Sequence, residues 1–239
     1  MVEVKPPMDK IDLKVPFQTI VRMPNGLQWH KDELFVMDQF TDDVFVFNHK
    51  GKISRVINTK TENGSGITIG GGYLWTASNG QTRARPFRDH DDHSPKVIKI
   101  DLNTGESLDA IPVPEGSGIH GIEWDEGNLW ITATSLKTLI LIDGSNHDIL
   151  HQIPCKLDVL HGLAKDGEGI WCSDRGAKKV VKFHKNSGVV MEEIVLPPNG
   201  PDPHGLSISN GVLWYSDADF PPPSSRGYPE IGFIEKRCE

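Results

Sequence analysis

The chain has 239 residues, of which 37% are hydrophobic, and a formal net charge of −8. That size suits one large all-β domain or two smaller ones. The negative charge is spread along the chain, which argues against nucleic acid and anionic membrane as partners, and no apolar run reaches the length of a membrane span.

The N-terminus, Met-Val-Glu-Val-Lys-Pro-Pro-Met, lacks an apolar signal segment. Cys155, Cys172 and Cys238 are odd in number and show no C-x-x-C spacing. The expectation is a cytoplasmic protein with reduced thiols, a secreted form that has lost its signal being the alternative. Residues 1–14 read as a polar tail and 15–239 as a single domain. Phe17–Met23 alternates as a strand with no partner beside it.

One phrase then returns five times, as Asn25-Gly-Leu-Gln-Trp29, Ser65-Gly-Ile-Thr-Ile69, His120-Gly-Ile-Glu-Trp124, His161-Gly-Leu-Ala-Lys165 and His204-Gly-Leu-Ser-Ile208. The glycines at 26, 66, 121, 162 and 205 are 40, 55, 41 and 43 residues apart. A short turn and an apolar-aromatic strand follow each copy: 34–38, 74–78, 129–133, 170–174 and 213–217. Such a period, with several strands per unit, predicts a β-propeller of five blades, each a four-stranded antiparallel sheet. The last unit has no fourth strand, so Phe17–Met23 is expected to close it and join the chain ends. Trp75, Trp130, Trp171, Trp214 and Phe35 share one repeat position and are expected to pack between blades.

The innermost strand of a blade lines the channel. The residues before the recurrent glycines, Asn25, Ser65, His120, His161 and His204, therefore ring its mouth on one face. Two long insertions, 79–95 and 218–229, are connections on that same face, where a binding site is expected. The first carries Arg83, Arg85, Arg88, His90 and His93; the second carries Phe220, Arg226 and Tyr228.

Three imidazoles converging from neighbouring blades would suit a divalent metal (Zn, Fe, Mn, Cu or Ni) with a position left open for substrate. Histidines that cap strand starts and bond backbone are the alternative. Glu123 and His93 are candidates to move a proton. Asn25, Ser65, Arg83, Arg85, Arg88, His90, Asp174, Arg175, Asp217, Phe220 and Tyr228 are candidates to hold a small-molecule substrate, the arginines through a carboxylate or phosphate. Asp38, Asp174 and Asp217 end their strands on this face, where they would orient the histidines or brace turns.

The phrase His-Gly-Ile/Leu, a short spacer, then Gly-x-Leu-Trp resembles the blade repeat of streptogramin (virginiamycin B) lyases. It is also similar to the wider gluconolactonase/SMP-30-like and NHL-like propellers. The resemblance spans about residues 24–217. It implies a site at the channel mouth built from His, Glu and a divalent metal that opens a lactone by elimination, a role that His120, His161, His204 and Glu123 would match. The lyases have seven blades and the gluconolactonase group six, with a carboxylate/Asn calcium site. Plant-type glutaminyl cyclases have five, but their acidic motifs are not evident here. The reading is thus a metal-dependent lyase or hydrolase for a small ester or lactone, against a non-catalytic propeller that binds a ligand or protein on its looped face.

Overall fold

The structure, a computed structural model, describes residues 11–16, 19–114, 118–219 and 226–236. These residues form twenty strands in five four-stranded antiparallel sheets, the blades of a five-bladed propeller. The first strand, β1 (Ile11–Lys14), precedes blade 1, which is β2 (Pro24–His30), β3 (Glu33–Asp38), β4 (Asp43–Asn48) and β5 (Ile53–Ile57). Blade 2 is β6 (Gly64–Gly70), β7 (Tyr73–Ser78), β8 (Lys96–Asp101) and β9 (Ser107–Pro112). Blade 3 is β10 (Ile122–Asp125), β11 (Asn128–Ala133), β12 (Thr138–Asp143) and β13 (Ile149–Pro154). Blade 4 is β14 (Leu160–Asp166), β15 (Gly169–Asp174), β16 (Lys179–His184) and β17 (Val190–Val195). Blade 5 is β18 (Leu206–Ser209), β19 (Val212–Asp217) and β20 (Glu230–Lys236), completed by β1. No helix among the described residues is long and apolar enough to cross a membrane.

The ring closes with an N-terminal strand, but not with Phe17–Met23. The closing strand is Ile11–Lys14, in the stretch read as a tail, and it pairs Ile11 with Lys236 and Leu13 with Ile234. Phe17 and Gln18 lie outside the described residues, and 19–23 form no strand. Their backbone is committed elsewhere: the Met23 amide donates to Asp38 Oδ1 at 2.9 Å, and the Met23 carbonyl accepts from the Gln39 amide at 3.0 Å. The burial of Val21 in the seam between blades 5 and 1 explains the apolar character of this stretch.

The core is divided among the blade interfaces. Phe35 of blade 1 packs with Ile67 of blade 2, Trp75 with Ile122, Trp130 with Leu163, Trp171 with Leu206, and Trp214 with Leu27. Each strand-centre aromatic thus covers the inner strand of the next blade, as the repeat predicts.

The recurrent glycines have a different task. A Cβ on Gly66 would stand 2.8 Å from the His120 carbonyl oxygen, closer than real Cβ atoms come. Gly26 meets the Ser65 carbonyl in the same way, Gly121 that of His161, Gly162 that of His204, and Gly205 that of Asn25. Five blades pack so tightly around the axis that only glycine fits this layer. The register of the inner pair slips just here, between Pro24 and Leu27, Gly64 and Ile67, and Leu160 and Leu163. These bulges turn side chains on both sides of the glycine towards the axis. Above the glycine layer stand Asn25, Ser65, His120, His161 and His204. Below it stand Gln28, Thr68, Glu123, Ala164 and Ser207.

Candidate active site at the channel mouth

The repeat brings the three histidines together, as expected. The His120 and His161 rings stack with centroids 4.4 Å apart and planes at 27°, and His161 meets His204 edge-on at 4.7 Å and 71°. Two ligands of one ion must aim in-plane nitrogen lone pairs at a common point. Nearly parallel stacked rings send those lone pairs side by side instead. His204 Nδ1 is 2.8 Å from the Asp202 carbonyl oxygen, and His161 bonds the His204 backbone. No three His, Cys, Asp or Glu side chains among the described residues form a metal-binding group. The geometry required for a three-histidine metal site is therefore not formed among the described residues, because the stacked His120 and His161 rings do not aim at one point.

Electrostatics keep His120 and His161 neutral. Burial first, and the positive charge of Arg175 second, push His120 down to about 4. His161 lies well below the ordinary imidazole range, chiefly through burial and then through His120, His204 and Arg175. His161 and His204 are buried, whereas His120 is only half-buried. His120 Nδ1 is buried without a partner.

His120 lines a cleft of about 560 Å³ together with Met23, Gln39, Phe40, Asn63, Gln81, Arg83 and Ala84. One wall is a chain of amides. Asn25 Nδ2 donates to Gln39 Oε1 at 2.8 Å, Gln39 Nε2 to Asn63 Oδ1 at 2.7 Å, and Asn63 Nδ2 to the Gly80 carbonyl at 3.1 Å. Asn79 Nδ2 donates to Ser65 Oγ at 2.9 Å, and Ser65 in turn to the Ile119 carbonyl at 2.6 Å. Asn25 Oδ1 and Asn79 Oδ1 are buried without partners. Asn25, Ser65 and Arg83 thus stand at the mouth as the sequence suggests. Gln39, Asn63, Asn79 and Gln81 escape a search for ionisable groups because they are neutral. One signal was available. Gln39, Asn79, Thr134, Arg175 and Ala218 all directly follow the second strand of a blade, and Gln39, Asn79 and Ala218 touch Asn25, Ser65 and His204.

Other candidates serve the frame. Asp38, Asp174 and Asp217 brace turns: Asp174 accepts the amides of Asp158, Val159 and Ala177, and Asp217 those of Asp202 and Asp219. Asp217 is also 3.9 Å from His204 Nδ1, and burial raises its carboxyl to about 6. Arg85 is not open to substrate. Its side chain is 6% exposed, bonded to Asp42 at 2.6 Å and to Asp91 at 2.7 Å. Arg88 donates to the Thr41 carbonyl at 2.6 Å. His93 Nδ1 is 2.6 Å from Glu62 Oε1, whose carboxylate also takes the amides of Asp92 and His93. His90 borders a separate groove with Lys60 and Lys96. Tyr228 is exposed with Arg226 stacked on its ring at 4.6 Å, and Phe220 lies outside the described residues. Glu123 is three residues past His120 and lies below the glycine layer. There it bonds the Lys165 backbone and Thr68, as Ser207 accepts the Trp29 amide and Thr68 the Trp124 amide. Burial raises its carboxyl to about 8. Glu123 is thus an interface group set apart from the histidine ring.

No protein-family model matches this chain, and no curated protein does. Solved structures do match. The glutaminyl cyclase of Myxococcus xanthus superposes with a TM-score of 0.66 over 97% of both chains, at 9% identity. The virginiamycin B lyase of Staphylococcus aureus gives 0.54 at 18% identity, covering 91% of this chain and 68% of its own. A streptogramin B lyase gives 0.54 at 14% identity, over 95% of this chain and 98% of its own. All three are propeller enzymes. At these identities the likeness is one of fold, and it bears out the architecture drawn from the repeat.

Proposed function

We propose that this chain is a propeller enzyme of the lyase or hydrolase kind, which acts on a small polar ester, lactone or amide in the cleft at the channel mouth. The observation that carries the proposal is His120, an imidazole kept neutral that lines a cleft walled with amides. In this reading the amides hold substrate carbonyl and N–H groups, and His120 moves the proton. An imidazole near 4 is a weak base in the empty site. A negative group beside Arg175 would offset part of that depression once substrate is seated. The lyases and the cyclase of like fold set the compounds to try: lactones, esters and peptides with an N-terminal glutaminyl residue. A divalent ion on His120, His161 and His204 would polarise a substrate oxygen, but the His120 and His161 rings would first have to unstack. No step is assigned to it.

The rival reading, a binding module without chemistry, draws support from His161 and His204, whose backbone bonds are those of structural histidines. The two separate in one assay. The parent and His120→Ala proteins are offered the panel, with product read by mass spectrometry and binding by thermal shift. The enzyme reading expects both proteins to bind a common compound and only the parent to convert it. Binding by the parent with no product from any compound supports the binding module.

A further inference from the structure

We infer that a second site, a groove on the face opposite the histidines, binds a neutral sugar unit. The groove has a volume of about 270 Å³ and lies in the seam between blades 5 and 1. Trp29, Trp214 and Phe233 line it. Their rings touch in series: Trp29 meets Trp214 edge-on at 5.0 Å and 65°, and Trp214 meets Phe233 at 5.0 Å and 47°. The polar part of the lining comes from three connections. Lys31 and Asp32 join β2 to β3, His49 follows β4, and Ser209 and Asn210 stand where β18 turns into β19. These connections lie at the strand ends away from the channel mouth.

The seam between blades 2 and 3 shows the same positions used for packing. Trp124 holds the register position of Trp29, since each pairs with the leucine that opens the second strand of its blade. Trp124 stacks on Trp75 at 5.6 Å and 22°. Glycine backbone lies against it there. A Cβ on Gly70 would overlap the Trp124 ring, one on Gly71 would stand 3.1 Å from it, and one on Gly144 3.5 Å. Trp75 also donates its Nε1–H to the Gly70 carbonyl at 3.1 Å. In the seam between blades 5 and 1, Ser209 and Asn210 stand where Gly70 and Gly71 stand, and His49 where Gly144 stands. Three glycines in contact with an indole thus give way to a hydroxyl, an amide and an imidazole that line a groove. Trp75, Trp130 and Trp171 are at most 2% exposed, whereas Trp214 at the same repeat position is half-buried. Touching aromatic rings bordered by hydrogen-bonding groups suit a ring that is apolar on its C–H faces and hydroxylated around its edge. Lys31 and Asp32 cancel in charge, which favours a neutral ligand. The volume is just under the roughly 300–1,000 Å³ of drug-sized sites, so it holds one sugar ring rather than a long chain.

The test titrates methyl β-glucoside, methyl β-galactoside and N-acetylglucosamine into the intact protein and follows the indole N–H signals of its tryptophans by NMR. At least one sugar is expected to move the Trp29 and Trp214 signals saturably and to leave that of Trp130 in place. Asn210 has a φ of 50°, which glycine adopts readily. Asn210→Gly, the residue found at this position in blade 2, should therefore fold and bind the sugar about fivefold to tenfold more weakly, the loss of a hydrogen bond to the ligand. Trp214→Leu should weaken binding further, and Glu126→Gln, on the matching turn of blade 3, should bind as the parent does. The inference is overturned if no sugar moves either signal at about 10 mM, where a site with a Kd of about 1 mM is filled. That result does not depend on any variant folding. Cyclohexanol binding as tightly as the sugars would overturn it too, because the groove would then be a plain apolar cleft. Unchanged sugar affinity in folded Asn210→Gly and Trp214→Leu would place the sugar elsewhere and end the proposal.

Discussion

His120, His161 and His204 share a repeat position but have different surroundings, and their chemistry follows from the surroundings. Burial holds His120 near 4 and His161 well below the ordinary 6.5. Between these values the unfolded chain takes up protons that the folded chain refuses. Their contribution therefore makes the fold less stable as pH falls from about 6.5 towards 4. Glu123 acts in the opposite sense. Its carboxyl rises from 4.5 to about 8, so the folded chain keeps a proton that the unfolded chain releases, and stability falls as pH climbs through that window. Glu123→Gln retains a carbonyl for the Lys165 amide and has nothing to ionise. It should match the parent near pH 4 and exceed it above pH 8 by a few kcal/mol at order of magnitude, as read from urea midpoints at both pH values. A variant less stable than the parent at high pH would show that the ionised carboxylate is needed.

At the scale of elements, two contacts decide whether the looped face is built. The first is the glycine layer. Gly66→Ala puts a methyl group 2.8 Å from a backbone carbonyl in the next blade, with no flexible side chain to yield. It should cost more than about 3 kcal/mol or prevent folding, whereas Gly127→Ala, with nothing within 4 Å of its Cβ, should be penalised only for its positive φ of 99°. Similar losses for both would deny the close approach. The second is the pin that holds the first insertion to the face. Arg85 joins Asp42, at the end of the blade 1 turn, to Asp91 inside the insertion, and holds the Asp91 carboxyl down to about 2. Arg85→Ala strands two buried carboxylates, and a loss of about 3–5 kcal/mol is expected in denaturant titrations. Were Arg85 a substrate residue, stability would barely move.

At the scale of the molecule, the closing strand joins the ends of the ring. Leu13 packs on the blade 4–blade 5 core while its backbone pairs along β20. Leu13→Asp should lower the thermal midpoint by several degrees, because the loss falls on the closure; an unchanged midpoint would mean the ring closes without β1. The repeat made the five blades and the mouth position legible, since glycine spacing and strand-centre aromatics recur whatever the loops do. The closing strand was not legible. Ile11-Asp-Leu-Lys14 is four residues of weak alternation, whereas Phe17–Met23 looks more like a strand and is used to fill a seam. The residues at the mouth were legible, but the direction of the imidazoles was not. Ring orientation depends on carbonyls supplied from neighbouring blades and loops, such as Asp202 for His204. The amide wall was hidden because Gln39, Asn63 and Asn79 carry no charge to attract notice.

His120 is a neutral imidazole at the cleft, while His161 and His204 are tied into the frame. An NMR pH titration of the histidine ring signals tests it most directly. The His120 signal should stay that of the free base down to about pH 5 and titrate with a midpoint near 4. A His120 midpoint near the ordinary 6.5 would show that the ring is not held neutral by burial.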